Sequence, residues 1–246
     1  MYTPYFVLNT VVIVLNLFDT LYFLVFLFYS FKNGSLARES IANEMCQGDW
    51  NMFADMLKQT PPGNDGNIGV YYLSPEITPT TGAQFGTQRY DDKGQKISSK
   101  NKISFLNPAH DVRAVVEGKF LAMRYYGETI GMDTLKARRI IATGGASNNI
   151  GILQVLSDVF GCPVYTLAQS DSASLGAAFR ALHGHVCHMS KGDDQFVKYE
   201  QVIAEDVFGY RLACKPTEGT AEIYAQMLPR FAAHQSEFAE ELRGKC

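Results

Sequence analysis

The chain has 246 residues, 46% of them hydrophobic and 19% charged, and a formal net charge of −3 at pH 7. That length supports one good core, or a domain with an appendage, and the near-neutral balance without a Lys/Arg block gives no electrostatic footprint for nucleic acid. The five cysteines, Cys46, Cys162, Cys187, Cys214 and Cys246, contain no Cys-x-x-Cys pair, a usage that fits reduced thiols and a cytoplasmic setting better than a secreted disulfide framework.

The first 31 residues differ from the rest. Residues 5–31 are rich in Phe, Leu and Val, long enough for a span of about 20 residues. Asn9, Asn16 and Asp19 interrupt the stretch, and a central Asp costs about 2.5–3.5 kcal/mol on insertion scales. No Lys or Arg precedes Lys32, which argues against a signal peptide. Two readings stay open for 1–31: an atypical leader, which we weight more heavily, and a membrane-inserted segment whose first flanking charges, Lys32 and Arg38, would leave the following domain in the cytoplasm.

The composition turns globular at Lys32, and a domain is expected over 32–246. Short helices are expected at 36–45 and 50–57. Residues 60–102 are broken by Pro61, Pro62, Gly63, Gly66, Pro75, Pro79 and Gly82, with a strand at 68–73 and an exposed polar loop at 95–102. Val112, Val116, Phe120 and Met123 recur at spacings of four, four and three, one face of an amphipathic helix from 110 to about 126. A strand at 139–143, a glycine turn, a helix at 149–160, a strand at 164–167 and a helix at 173–182 make a βαβ unit, so parallel strands and an α/β fold are expected. A last helix over about 221–241 carries Ile223, Met227, Phe231 and Phe238 on one side.

The stretch most suited to chemistry is Ala142-Thr143-Gly144-Gly145-Ala146-Ser147-Asn148-Asn149, where strand hands over to helix. Paired glycines admit a ligand close to the backbone, and a helix start offers unpaired N–H groups. Ser147, Asn148 and Asn149 can cap that helix or hydrogen-bond a base or ribose. Ligands of parallel α/β sheets bind at such carboxyl ends of strands. On physics alone a tight turn with a helix cap is the more favoured reading. His183, His185, Cys187 and His188 invite a metal reading, but no paired ligand set at a recognised spacing accompanies them, and a structural role just past a helix end is favoured.

The segment from Arg139 to Pro163, with Gly-Gly-Ala before a helix bearing Gln154 and Asp158, resembles the adenosine-binding segment of the FGGY carbohydrate kinases. Ser172-Ala173-Ser174-Leu175-Gly176-Ala177-Ala178 is similar to that family's second glycine-alanine helix, and Arg113-Ala114-Val115-Val116-Glu117-Gly118 also fits. Lys32-Asn33-Gly34-Ser35-Leu36-Ala37-Arg38-Glu39, with Trp50 behind it, resembles the animal xylulokinase branch in particular.

The resemblance implies the C-terminal, nucleotide-binding half of a sugar kinase, of ribonuclease H-like (actin-like ATPase) topology. It further implies Mg2+-ATP as the nucleotide, with Gly144 and Gly145 along adenine and ribose, Asn148 or Asn149 bonding the nucleotide, and Trp50 along the base. By residue chemistry Trp50 can be a stacking platform or a core-filling side chain. The family's base is the Asp of a Gly-Asp-Asn segment, followed by a phosphate-cradling Gly-Thr-Ser hairpin. Neither tripeptide occurs in these 246 residues. The expectation is therefore an ATP-binding chain inactive alone, with D-xylulose bound only together with a further domain. A non-catalytic nucleotide-binding or interaction module, or a truncated product, is the alternative. Asp158 and Asp171 read as capping or packing residues.

Overall fold

The computed structural model describes residues 10–15, 25–97, 105–131, 137–167, 172–190, 197–203 and 209–244. Asn9, Asn16, Asp19, Asp171, Cys246 and the end of the expected polar loop lie outside them.

The first strands, β1 (Thr10–Leu15) and β2 (Val25–Ser30), pair antiparallel with Thr10 opposite Ser30. Their β-branched and aromatic composition suits paired, pleated strands. No helix among the described residues is long and apolar enough to cross a membrane.

Two helices follow, α1 (Asn33–Cys46) and α2 (Trp50–Lys58). The strands β3 (Ile68–Tyr72) and β4 (Gly86–Tyr90) pair antiparallel. Next come α3 (Pro108–Thr129), β5 (Ile140–Ala142), α4 (Ile150–Phe160), β6 (Val164–Leu167), α5 (Ser172–Met189), the short α6 (Tyr199–Val202), β7 (Tyr210–Cys214) and α7 (Thr220–Arg243). The expected βαβ unit is present: β5 and β6 are parallel, with Ile140 opposite Val164. Sequence reading missed β7, which joins β6 antiparallel and closes the order β5-β6-β7. Tyr210 and Leu212 on β7 face solvent, which removes the core signal that marks a strand.

Helix α3 is the axis of the core. Val112, Val116, Phe120 and Met123 are buried as expected, but so are Asp111, Arg113, Glu117 and Arg124. The single amphipathic face therefore understates the helix, which packs against α1, α2 and α4 as well as β3 and α7. Its buried charges find partners inside the fold, as burial favours, with Glu117 Oε2 the one buried carboxylate oxygen left without a hydrogen bond among the described residues. Asp111 accepts hydrogen bonds from Arg89 Nε, from the Tyr71 hydroxyl at 3.2 Å and from the Phe105 backbone N–H at 2.9 Å. Glu117 Oε1 accepts from Arg113 at 3.2 Å, the Tyr224 hydroxyl at 2.7 Å and the Gly63 N–H at 3.0 Å. Burial outweighs these partners and pushes the Glu117 carboxyl up to about 6. Gly118 is required at its place: a Cβ there would stand 2.5 Å from the Gly69 carbonyl oxygen of β3.

In α7, Met227, Phe231 and Phe238 are buried, whereas Ile223, expected on the same face, is 40% exposed near the helix start. Helix α5 runs to Met189, seven residues beyond the expected end, so His183 to His188 lie within a helix and not past one. His183 is buried with Nε2 2.7 Å from the Val197 carbonyl, Cys187 Sγ is 3.6 Å from the same nitrogen, and His185 and His188 are exposed. Among the described residues no group of three or more metal-ligating side chains comes together.

Candidate functional site

The site is built where β5 ends. Gly144 adopts φ 80°, ψ −178°, a region only glycine enters without strain. The chain then makes one 3-10 turn, Gly145–Asn148, closed by the Ser147 N–H (3.0 Å) and hydroxyl (2.7 Å), both donating to the Gly144 carbonyl. Asn149 caps α4: its Oδ1 accepts from the Ile152 N–H at 3.1 Å, the usual device for an orphan donor at a helix start.

The Asn149 amide also reaches across to α2, with Nδ2 donating to the Trp50 carbonyl at 3.3 Å. Asp49 caps α2, accepting from the Asn51 N–H at 2.8 Å, so Trp50 is fixed as that helix's first residue. Gly151 brings the two helices close, since a Cβ there would lie 3.2 Å from Leu57 Cδ1 and 3.7 Å from Ala54 Cα. One asparagine, one cap and one glycine therefore set the spacing between the starts of α2 and α4.

Between them, with α1 as the third wall, lies a cavity of about 550 Å³, within the range of small-molecule and cofactor sites. Trp50, Gly145, Asn148 and Asn149 line it. Trp50 is 43% exposed, its ring tilted against Phe53 at a centroid distance of 5.1 Å. The core-filling reading of this tryptophan is thereby set aside: the indole presents free π surface to the cavity rim. A Cβ on Gly145 would meet nothing within 4 Å, so the backbone there is open to a ligand. Gly144 and Ser147 shape the turn and are not on the cavity wall.

The whole α1 side of the wall escaped sequence reasoning as site residues. Ser35, Arg38 and Glu39 come from the first turns of α1; their segment was visible only as a resemblance, and Arg38 only as a charge next to an apolar stretch. Asp158, in contrast, is structural: buried in α4, its Oδ1 accepts from the Thr217 N–H at 2.7 Å and Gln154 Nε2 at 2.9 Å, holding the approach to α7.

The model of the FGGY family of carbohydrate kinases, C-terminal domain, matches residues 36–185 of this sequence, a span that contains every wall of the cavity except Ser35. The chain belongs to the FGGY family of carbohydrate kinases. Similar family members include a xylulose kinase of Rattus norvegicus, 38% identical over 214 residues, which cover 87% of this chain and 37% of the rat protein. A xylulose kinase of Mus musculus is 39% identical over 203 residues, covering 82% and 34%. The chain thus spans little more than a third of the length of these relatives.

Solved structures agree on the fold. The xylulose kinase from Rhodospirillum rubrum superposes with a TM-score of 0.60 at 21% identity, over 85% of this chain and 38% of that one. A ligand-bound xylulose kinase from Lactobacillus acidophilus gives 0.61 at 18% identity, over 85% and 39%. The mixed α/β architecture is that of the FGGY sugar kinases.

Proposed function

We propose that residues 32–246 form the ATP-binding, ribonuclease H-like half of a carbohydrate kinase of xylulokinase type, with 1–31 as a leader outside that domain. Complete, such an enzyme would transfer the γ-phosphoryl group of ATP to D-xylulose, giving D-xylulose 5-phosphate and ADP. The observation that carries the reading is the convergence of the half-exposed Trp50 ring with the open backbone of Gly145 and the amides of Asn148 and Asn149 on one cavity.

Each wall has a task in this reading. The indole face of Trp50 takes the adenine plane. The Gly144-Gly145 turn lets ribose approach the backbone where a side chain would obstruct it. Asn148 and Asn149 supply amide donors and acceptors for base or ribose. Mg2+ enters with the triphosphate: Glu39 is the single carboxylate on the described cavity wall, and Mg2+ takes most of its ligands from phosphate and water oxygens.

Phosphoryl transfer depends on positioning and on electrostatic stabilisation of the moving group. With no Gly-Asp-Asn base segment and no Gly-Thr-Ser hairpin among its residues, the chain alone binds nucleotide without turning sugar over. Trp50 is the sole tryptophan, so the test needs no label. Mg2+-ATP should change its emission saturably, and a folded chain with flat emission up to millimolar nucleotide would contradict the assignment.

A further inference from the structure

Arg38 is the cationic residue of the described cavity wall, and the adenosine-binding reading leaves it without a task. It projects from α1, is 4% exposed, and lines the same cavity as Trp50 and Gly145. Among the described residues none gives its guanidinium a hydrogen bond or an ion pair, in contrast to the other buried arginines: Arg89 bonds Asp111, Arg113 bonds Thr60, Leu57 and Glu117, and Arg124 bonds Glu128 and Val159. None of its nitrogens is sealed from solvent, so the donors open onto the cavity. A guanidinium on a largely buried side chain with no protein acceptor is costly, and such exceptions to internal pairing are expected at functional sites.

The charge is concentrated as well as buried. The point where a Cβ on Gly34 would stand is 4.0 Å from Arg38 Nη1 and 3.7 Å from Lys119 Nζ. Lys119 in turn lies over the Phe31 ring at 4.0 Å. Glu76 offsets part of this charge, but its carboxylate is engaged by the backbone N–H groups of Lys32, Asn33 and Ile77. Burial lowers the Arg38 guanidinium to about 10 and lowers the Lys119 ammonium too, with the Arg38 charge adding to the latter. Glu39, the acidic wall residue, is exposed toward solvent, where water screens it.

We propose that Arg38 is a phosphate-binding residue of this cavity, its guanidinium taking the phosphate oxygens of the nucleotide whose base lies on Trp50. The inference rests on the nucleotide reading of the same cavity and adds to it the group that distinguishes a nucleotide from a nucleoside. A guanidinium suits the role because its planar fork matches two phosphate oxygens at once.

The full chain and its Arg38→Met and Arg38→Lys variants would be titrated with ATP and with adenosine, and their unliganded melting midpoints measured. Methionine keeps the apolar stem and removes the charge. Arg38→Met should weaken ATP binding about tenfold or more, leave adenosine within about twofold, and raise the unliganded midpoint, because an unpaired buried charge is gone. Arg38→Lys should keep part of the preference for ATP. Equal loss of ATP and adenosine, an unchanged ATP affinity, or a lowered midpoint in Arg38→Met would overturn the proposal and make Arg38 structural. A parent chain that binds adenosine as tightly as ATP would overturn this inference alone, whereas one that binds neither would remove the nucleotide reading and this inference with it.

Discussion

Trp50→Ala should weaken nucleotide binding about ten- to a hundredfold while leaving the fold in place. Base–aromatic stacking contributes about 1–3 kcal/mol per base, and the loss is concentrated here because Trp50 is the one large aromatic face on the described wall. The fold should tolerate the change: the ring is 43% exposed, and the bonds that fix the start of α2 come from Asp49 and from the Trp50 backbone carbonyl, not from the indole. Calorimetric titration with adenosine and with ATP measures both losses. Trp50→Phe, which keeps a smaller ring, should fall between. An alanine variant binding as tightly as the parent would remove the stacking platform from the account.

Asp111→Ala should be the most damaging single change to stability, for the opposite reason. Asp111 is fully buried at the first turn of α3, and its carboxylate gathers Arg89 of β4, Tyr71 of β3 and the Phe105 N–H. Truncating it strands Arg89, itself 3% exposed, as a buried charge. Breaking such a pair costs about 3–5 kcal/mol, which for a domain of this size lowers the melting midpoint by roughly 10 °C. Circular dichroism melts of parent and variant provide the measurement, and a cost under about 1 kcal/mol would mean that the β3-β4 hairpin is held to α3 by apolar packing instead. Asp111→Asn, whose one amide oxygen can still accept from Arg89 while its NH2 faces the Phe105 N–H, should recover only part of the loss.

These two residues mark how much the sequence could disclose. The β5-turn-α4-β6 unit was legible because apolar runs, a glycine pair and a capping asparagine all agree locally, and Asn149 does cap α4. That Trp50 would stand opposite the glycine turn was legible only through resemblance, since 95 residues separate Trp50 from Gly145 and periodicity says nothing about such distances. Strand β4 (Gly-Thr-Gln-Arg-Tyr) hid because its composition is polar; it is a strand because Arg89 points into the core and finds Asp111. Periodicity marked a single apolar face of α3, whereas tertiary pairing also buries its Asp111, Arg113, Glu117 and Arg124. Arg38 shows the same limit from the other side: a lone positive charge in sequence becomes an unpaired buried guanidinium only once α1 is docked against α3.

The central claim is that this chain carries a working nucleotide site, and isothermal titration of Mg2+-ATP into the chain and its Gly145→Asp variant tests it most directly. The substitution is placed so that folding survives: a Cβ at Gly145 meets nothing within 4 Å, and the added carboxylate enters the cavity where it would crowd and repel a nucleotide. Saturable heat from the parent, lost in a variant with the same melting midpoint, is the predicted result. A folded parent that gives no saturable heat, or a Gly145→Asp variant that binds as tightly as the parent, would contradict the account.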